Sequence, residues 1–182
     1  MYIEFPLIGL VTLAAIIDLR SRRIPNPLIV AGLIASLLAN LWLHSGAGWA
    51  IWGLGMLTGF ALFLPLYLMR GMGAGDVKLM AMVGAFLGPS ATIRVVLITL
   101  IVGGVLTLAV AARNGSLRLL LGNLRTMLMG SLIKSTVLHQ MPTLDAAPVS
   151  AGKMPYGLAI ALGTFATIAL EHGWHMSFLK FF

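Results

Sequence analysis

Trp49-Ala-Ile-Trp-Gly-Leu-Gly-Met-Leu-Thr-Gly-Phe-Ala-Leu-Phe-Leu-Pro-Leu-Tyr-Leu-Met69 carries no charge and ends against Arg70-Gly-Met-Gly-Ala-Gly-Asp76. At ~1.5 Å per helical residue such a run reaches ~30 Å, the thickness of a bilayer's hydrocarbon core. Apolar segments near that length recur on both sides of it, over residues 2–17, 27–43, 77–87, 93–112 and 155–170. The pattern predicts an all-α membrane protein of about six transmembrane helices, counting 49–69 among them, in one domain over 1–182. The first segment is short for a span, so its helix is expected to continue past Asp18, leaving that carboxylate at the membrane face.

Composition agrees. The chain is 59% hydrophobic and 9% charged, against about 25% charged in a soluble domain, and its mean hydropathy is +1.00. There is no cysteine, which excludes disulfides, thiol nucleophiles and cysteine-held metal. The start, Met1-Tyr-Ile-Glu-Phe-Pro, lacks a basic region and runs into an apolar segment. It is expected to be a first transmembrane helix and not a cleaved signal peptide.

The net charge of +7 marks loops on the cytoplasmic side better than it marks a nucleic-acid partner. Arg20, Arg22 and Arg23 follow segment one, Arg70 and Lys78 lie in the stretch from segment three into segment four, and Arg113, Arg118, Arg125, Lys134 and Lys153 follow five. The other side holds only Arg94 and Lys180. Ten basic residues against two give both termini outside, and put Asp18 and Asp76 together on the cytoplasmic side. The connection 113–154 carries Leu117, Leu120, Leu121, Leu124, Leu128 and Leu132 at near-helical spacing, with Arg118 and Arg125 on the same stretch. It reads as an amphipathic interfacial helix on an anionic leaflet; the alternative is a short re-entrant or packed helix over the site. Residues 139–152 read as a flexible loop.

The chain has five carboxylates, and an acid set against a bilayer is costly enough to imply a job. Asp18 opens Asp18-Leu-Arg-Ser-Arg-Arg-Ile-Pro-Asn26. Its bland role is to balance the neighbouring arginines, but Pro25, Asn26 and Pro27 make a stiff turn that would hold it in one orientation. Asp76 closes Gly71-Met-Gly-Ala-Gly-Asp76. Its bland role is a cap or first-turn acid for the following helix. The glycines Gly71, Gly73 and Gly75 allow irregular backbone, which a membrane tolerates only where protein covers it or it lines a wet cavity. Lys78 is either a counter-ion to a carboxylate or a snorkelling surface cation. Pro155 suits the first turn of the last helix, and Tyr156 is either an interfacial anchor or a hydroxyl lining the site. Gly55/Gly59 and Gly84/Gly88 are small-residue pairs suited to close helix packing. Trp42, Trp49, Trp52 and Trp174 read as belt anchors at the outer boundary. His172 and His175 share a helical face with only Glu171 near them, so no metal site is expected.

Asp18-Leu-Arg-Ser-Arg-Arg-Ile-Pro-Asn26, Gly73-Ala-Gly-Asp76-Val-Lys-Leu79 and Pro155-Tyr-Gly157 resemble the type IV prepilin peptidases, intramembrane aspartic proteases with a Gly-x-Gly-Asp motif. The resemblance runs from segment one through segment six. It implies a multi-pass helical protease of the bacterial cytoplasmic (inner) membrane, with Asp18 and Asp76 as the catalytic pair. Gly73, Gly75, Lys78, Pro25, Asn26, Pro155, Tyr156 and Gly157 would shape the site or bind substrate. The substrate it implies is a prepilin or pseudopilin helix, cut after a short basic leader, as in type IV pilus, Tad/Flp pilus and type II secretion systems. No metal or other cofactor and no nucleic acid is expected; the lipid bilayer is the other partner. Longer relatives carry paired cysteines and methylate the new N-terminus. This chain has no cysteine, and Pro155-Tyr-Gly-Leu158 replaces their Pro-Phe-Gly-Pro, so it fits the short Tad/Flp-type form, without zinc and without methylation.

Two aspartates sharing a site cannot both ionise easily, which is the basis of water activation by a carboxylate pair. Intramembrane acids and broken helices also serve proton-coupled transport, and a secretion-system assembly scaffold would need no acid pair. Those are the alternative functions.

Overall fold

The computed structural model describes residues 3–69, 71–113 and 156–179, with side chains described except at 45, 111 and 172–179. Without water in a bilayer core, each backbone N–H and C=O must be satisfied within the chain, which a helix does locally. Every regular element among the described residues is helical: α1 (Glu4–Ser21), α2 (Asn26–His44), a 3-10 turn (Ser45–Ala47), α3 (Gly48–Leu68), α4 (Ala74–Arg113) and α5 (Tyr156–Leu179). The chain divides into two compact units, Met1–Gly103 with Pro155–Phe182, and Gly104–Met154. Of the second unit only the end of α4, residues 104–113, is described. The interfacial helix expected within 113–154 and the loop 139–152 lie outside the described residues.

In the first unit and the adjoining end of α4, three helices are long and apolar enough to cross a membrane by length and composition: Asn26–His44, Gly48–Leu68 and Ala74–Val110. Tyr156–Glu171 is a shorter apolar helix. α1 does continue past Asp18, to Ser21. Its end is closed by Arg22 in the left-handed conformation (φ 52°, ψ 31°), whose N–H donates to the Asp18 carbonyl at 2.8 Å.

α4 differs most from the expectation of two separate helices. Its 37-residue stretch Ala74–Val110 would span ~55 Å if straight, far beyond one hydrocarbon core. Gly88 breaks it, with φ 77° and ψ 173°, a conformation open to glycine and not to residues with a Cβ. Pro89 follows and has no N–H to continue the ladder. A methyl group at Gly84 would lie 3.1 Å from Thr92 Oγ1, whereas eight residues of straight helix would separate them by ~12 Å. The chain therefore doubles back at Gly88. The segments expected over 77–87 and 93–112 are the two limbs of this hairpin, and the first begins earlier, at Ala74.

The limbs alternate in direction with their neighbours. Gly55 meets Gly84 and Gly88, and Gly59 meets Met80, so α3 runs against the first limb. Thr99 meets Gly163, and Gly103 lies against Ala159 and Tyr156, so α5 runs against the second. Lipid tails are as apolar as leucine, so helices in a bilayer associate through close packing, which small residues permit. The two glycine pairs do this directly: Gly55 and Gly84 lie backbone to backbone. Residues 79–86 are all buried, so the first limb is wrapped by protein on every side. It is the axis of the bundle, which explains how a segment too short for an independent span is accommodated.

Polar ties reinforce the end away from Asp18 and Asp76. Asn40 Nδ2 donates to the Ser36 and Ala85 carbonyls, each at 3.0 Å. Trp52 Nε1 donates to the Leu33 carbonyl at 3.1 Å and to Ser36 Oγ at 3.0 Å. Trp52 thus joins α3 to α2, unlike the belt anchor expected of it; Trp42 and Trp49 are exposed. Arg94, the basic residue expected on the sparsely charged side, is paired with Glu171 of α5.

Candidate active site

Asp18 sits in the last turn of α1 and is only 6% exposed. Its Oδ2 accepts the Gly157 N–H at 2.9 Å. Gly157 is the second residue of α5, so this N–H is one of the donors that a helix start leaves without an internal partner. The carboxyl group caps α5 and meets the positive end of its dipole. Glycine is required at 157, because a methyl group there would fall 2.9 Å from Asp18 Oδ2 and 3.0 Å from Asp18 Cβ.

Asp76 binds the start of its own helix, α4. It is 8% exposed and lies in the first turn. Its Oδ2 accepts the Gly73 N–H at 3.0 Å, while its own N–H donates to the Gly73 carbonyl at 3.1 Å. The side-chain bond is the half of a capping box in which the third helical residue reaches back to the N-cap N–H, with aspartate in the usual place of glutamate; the other bond is a backbone turn. The capping role considered for Asp76 is therefore real. Capping alone does not call for burial or for a second acid, and both are present. Asp18 and Asp76, 58 positions apart in sequence, are brought to the same end of the helices by the packing of Ile24 on Gly75 and the Lys78–Asn26 hydrogen bond. Each is oriented by one backbone N–H at a helix start, and each helix directs partial positive charge toward its acid.

The surrounding residues fall into place unevenly. Gly73 supplies the N–H just described. Gly75 lies against the first limb's neighbour Ile24, whose Cβ would be 3.4 Å from a methyl group at 75. Lys78 is exposed and donates to Asn26 Oδ1 at 3.0 Å, so it binds an amide at the start of α2. Pro25 is half-buried, and its carbonyl accepts the Leu28 N–H at 3.2 Å, closing the turn into α2. Tyr156 is half-buried at the start of α5, with its ring edge beside Gly103. Pro155 lies outside the described residues. Sequence reasoning missed Ile24 as the packing partner of Gly75 and gave Gly157 no partner. Ile24 was legible as the apolar residue of the Arg-Arg-Ile-Pro-Asn turn; the link from Gly157 to Asp18 spans 139 positions and had no local signal. Among the described residues, no three His, Asp or Glu side chains converge as a metal site.

A prepilin leader peptidase/N-methyltransferase of Xanthomonas campestris pv. campestris is 36% identical over 97 residues, a match covering 50% of this chain and 33% of that relative. No solved structure matches. The type IV leader peptidase family matches over residues 5–108, an interval holding both aspartates, the Gly73–Gly75 turn and the Lys78–Asn26 bond. With more than half of its length in that match, the chain belongs to the type IV leader peptidase family.

Proposed function

We propose that this chain is a prepilin leader peptidase: an aspartic endopeptidase that cuts prepilins or pseudopilins at the cytoplasmic face of the bacterial inner membrane. The observation that carries the mechanism is the buried pair, Asp18 and Asp76, each holding a backbone N–H at a helix start. One aspartate is ionised and takes a proton from a water, which attacks the scissile carbonyl. The protonated partner donates to the carbonyl oxygen and then to the departing amine. No covalent intermediate forms. The backbone N–H groups of Gly157 and Gly73 keep the carboxyl groups aimed, and burial keeps bulk water from screening them.

The full reading has six crossings, both termini outside, and one polytopic domain over 1–182 with the 113–154 connection on the cytoplasmic side. The alternating helix directions and the ten-to-two distribution of basic residues support it. The substrate we favour is the short Flp-type prepilin, cut between its basic leader and its apolar helix.

The test is cleavage of a Flp-type prepilin in membranes by wild type, Asp18→Asn and Asp76→Asn at equal expression. Asparagine keeps an oxygen able to accept the Gly157 or Gly73 N–H, so the caps survive and only the acid–base function is lost. Each substitution is expected to cost at least ~10²–10⁴ in rate, and the wild-type rate should follow a bell against pH. An active Asp18→Asn or Asp76→Asn would make that aspartate structural. A wild type inert on every prepilin supplied would favour proton-coupled transport or an assembly scaffold.

A further inference from the structure

Lys78 follows Asp76 by two positions on α4, and Asn26 opens α2 just beyond the turn that leaves Asp18. Their hydrogen bond, 3.0 Å from Nζ to Oδ1, therefore joins the two segments that carry the acids. A second contact lies beside it: a methyl group at Gly75 would meet Ile24 Cβ at 3.4 Å and its Cδ1 and Cγ1 at 3.7 Å. The turn at 22–25 thus packs on the start of α4 through Ile24 and is tied to it by Asn26.

The two sides of this joint differ in stiffness. Pro25 and Pro27 flank Asn26 and restrict the backbone on both sides. Val77, Leu79 and Met80 are buried around Lys78, so α4 is anchored in the core while Lys78 itself is exposed. The approach to α4, by contrast, is Gly71-Met-Gly73, in which both glycines have wide intrinsic conformational freedom. Core packing seats the body of α4, and a tie at its first turn fixes how that turn lies relative to the end of α1. A long cation held by an amide on a proline-flanked helix start does so without placing a charge among the buried acids.

We propose that Lys78 and Asn26 form a positioning pair, which holds the α1–α2 turn against the start of α4 and thereby sets the separation of Asp18 and Asp76. Neither residue touches the reacting atoms. This inference rests on the peptidase reading above and deepens it. Misplacement by ~1 Å can cost ~10²-fold in an enzyme, and loosening one hydrogen bond of a packed joint should cost less. Lys78→Met and Asn26→Leu are each expected to lower kcat about tenfold with KM unchanged, and the double substitution to lower it no further.

The absence of cysteine permits a test that does not depend on activity. Ile24→Cys with Gly75→Cys puts two thiol-bearing carbons about 3.4 Å apart, close to the ~3.5–4.5 Å of a disulfide. Cross-linking by a mild oxidant should be rapid with Lys78 and Asn26 present, and several-fold slower with Lys78→Met or Asn26→Leu. Equal cross-linking rates in all three backgrounds would overturn the proposal. So would multiplicative losses in the double substitution, or a raised KM with kcat retained, which would make Lys78 a substrate contact. If wild type cuts no prepilin, the peptidase reading fails, while the cross-linking rates still decide whether the pair holds the joint.

Discussion

Replacing Gly157 by alanine tests whether the start of α5 aims Asp18. The added methyl group would lie 2.9 Å from Asp18 Oδ2, 3.0 Å from its Cβ and 3.2 Å from its Cγ. Carbon atoms in contact sit ~3.5–4.0 Å apart, so the overlap with Asp18 Cβ is about 0.5–1 Å. That carbon is fixed by the backbone of α1 and cannot swing aside. Relief requires α1 and α5 to separate or the carboxyl group to rotate, and either stretches the 2.9 Å bond from the Gly157 N–H. A displacement of this size in an aspartate that must meet both water and a second acid should lower kcat by ~10–10², which is ~1.4–2.7 kcal/mol of barrier. The helix itself should not suffer, because alanine is favoured over glycine by ~0.8–1.0 kcal/mol within a helix. The assay is initial cleavage rate in membranes at matched expression, together with thermal stability in detergent. Gly9→Ala is the control, since a methyl group there meets nothing within 4 Å. A Gly157→Ala protein that cuts at the wild-type rate would refute the claim that this contact orients Asp18.

Two further substitutions probe the scaffold. Gly55→Ala would press a methyl group onto the Gly84 carbonyl and to 2.9 Å from Gly88 Cα; both are backbone, so thermal stability should drop by ~1–3 kcal/mol. Gly53→Ala, with open space around it, should not lower stability, and equal behaviour of the two would refute the backbone-to-backbone packing. Arg22→Gly relieves a left-handed residue (φ 52°), a conformation costing ~1–2 kcal/mol outside glycine. It is expected to raise the melting temperature in detergent while leaving the Arg22 N–H to Asp18 carbonyl bond in place. A lower melting temperature would show that the arginine side chain contributes more than its backbone costs.

The membrane character and the helical class were legible from composition and from the length of the uncharged runs, because a bilayer leaves the backbone few alternatives to a helix. The co-location of Asp18 and Asp76 was legible too, since loop charges alternate along the chain and both acids abut the basic loops. So was the close packing of the Gly55/Gly59 and Gly84/Gly88 pairs. Other features lay beyond sequence reasoning. Which face of each helix meets protein was hidden, because lipid and protein interior are both apolar and the polar stripe that marks the outer face of a soluble helix is missing. The burial of residues 79–86 on all sides could therefore not be read in advance, nor could the internal hydrogen bonds of Trp52.

Sequence alone determined that this is a helical membrane protein with two acids near its basic loops, because those properties are sums over local residues. Tertiary structure alone decided that the chain doubles back at Gly88, that Gly157 supplies the N–H holding Asp18, and that Lys78 reaches Asn26. Each of these last choices pairs groups far apart in the chain, or depends on where neighbouring helices leave room. Local sequence lists the donors and acceptors available, but only packing selects which of them meet.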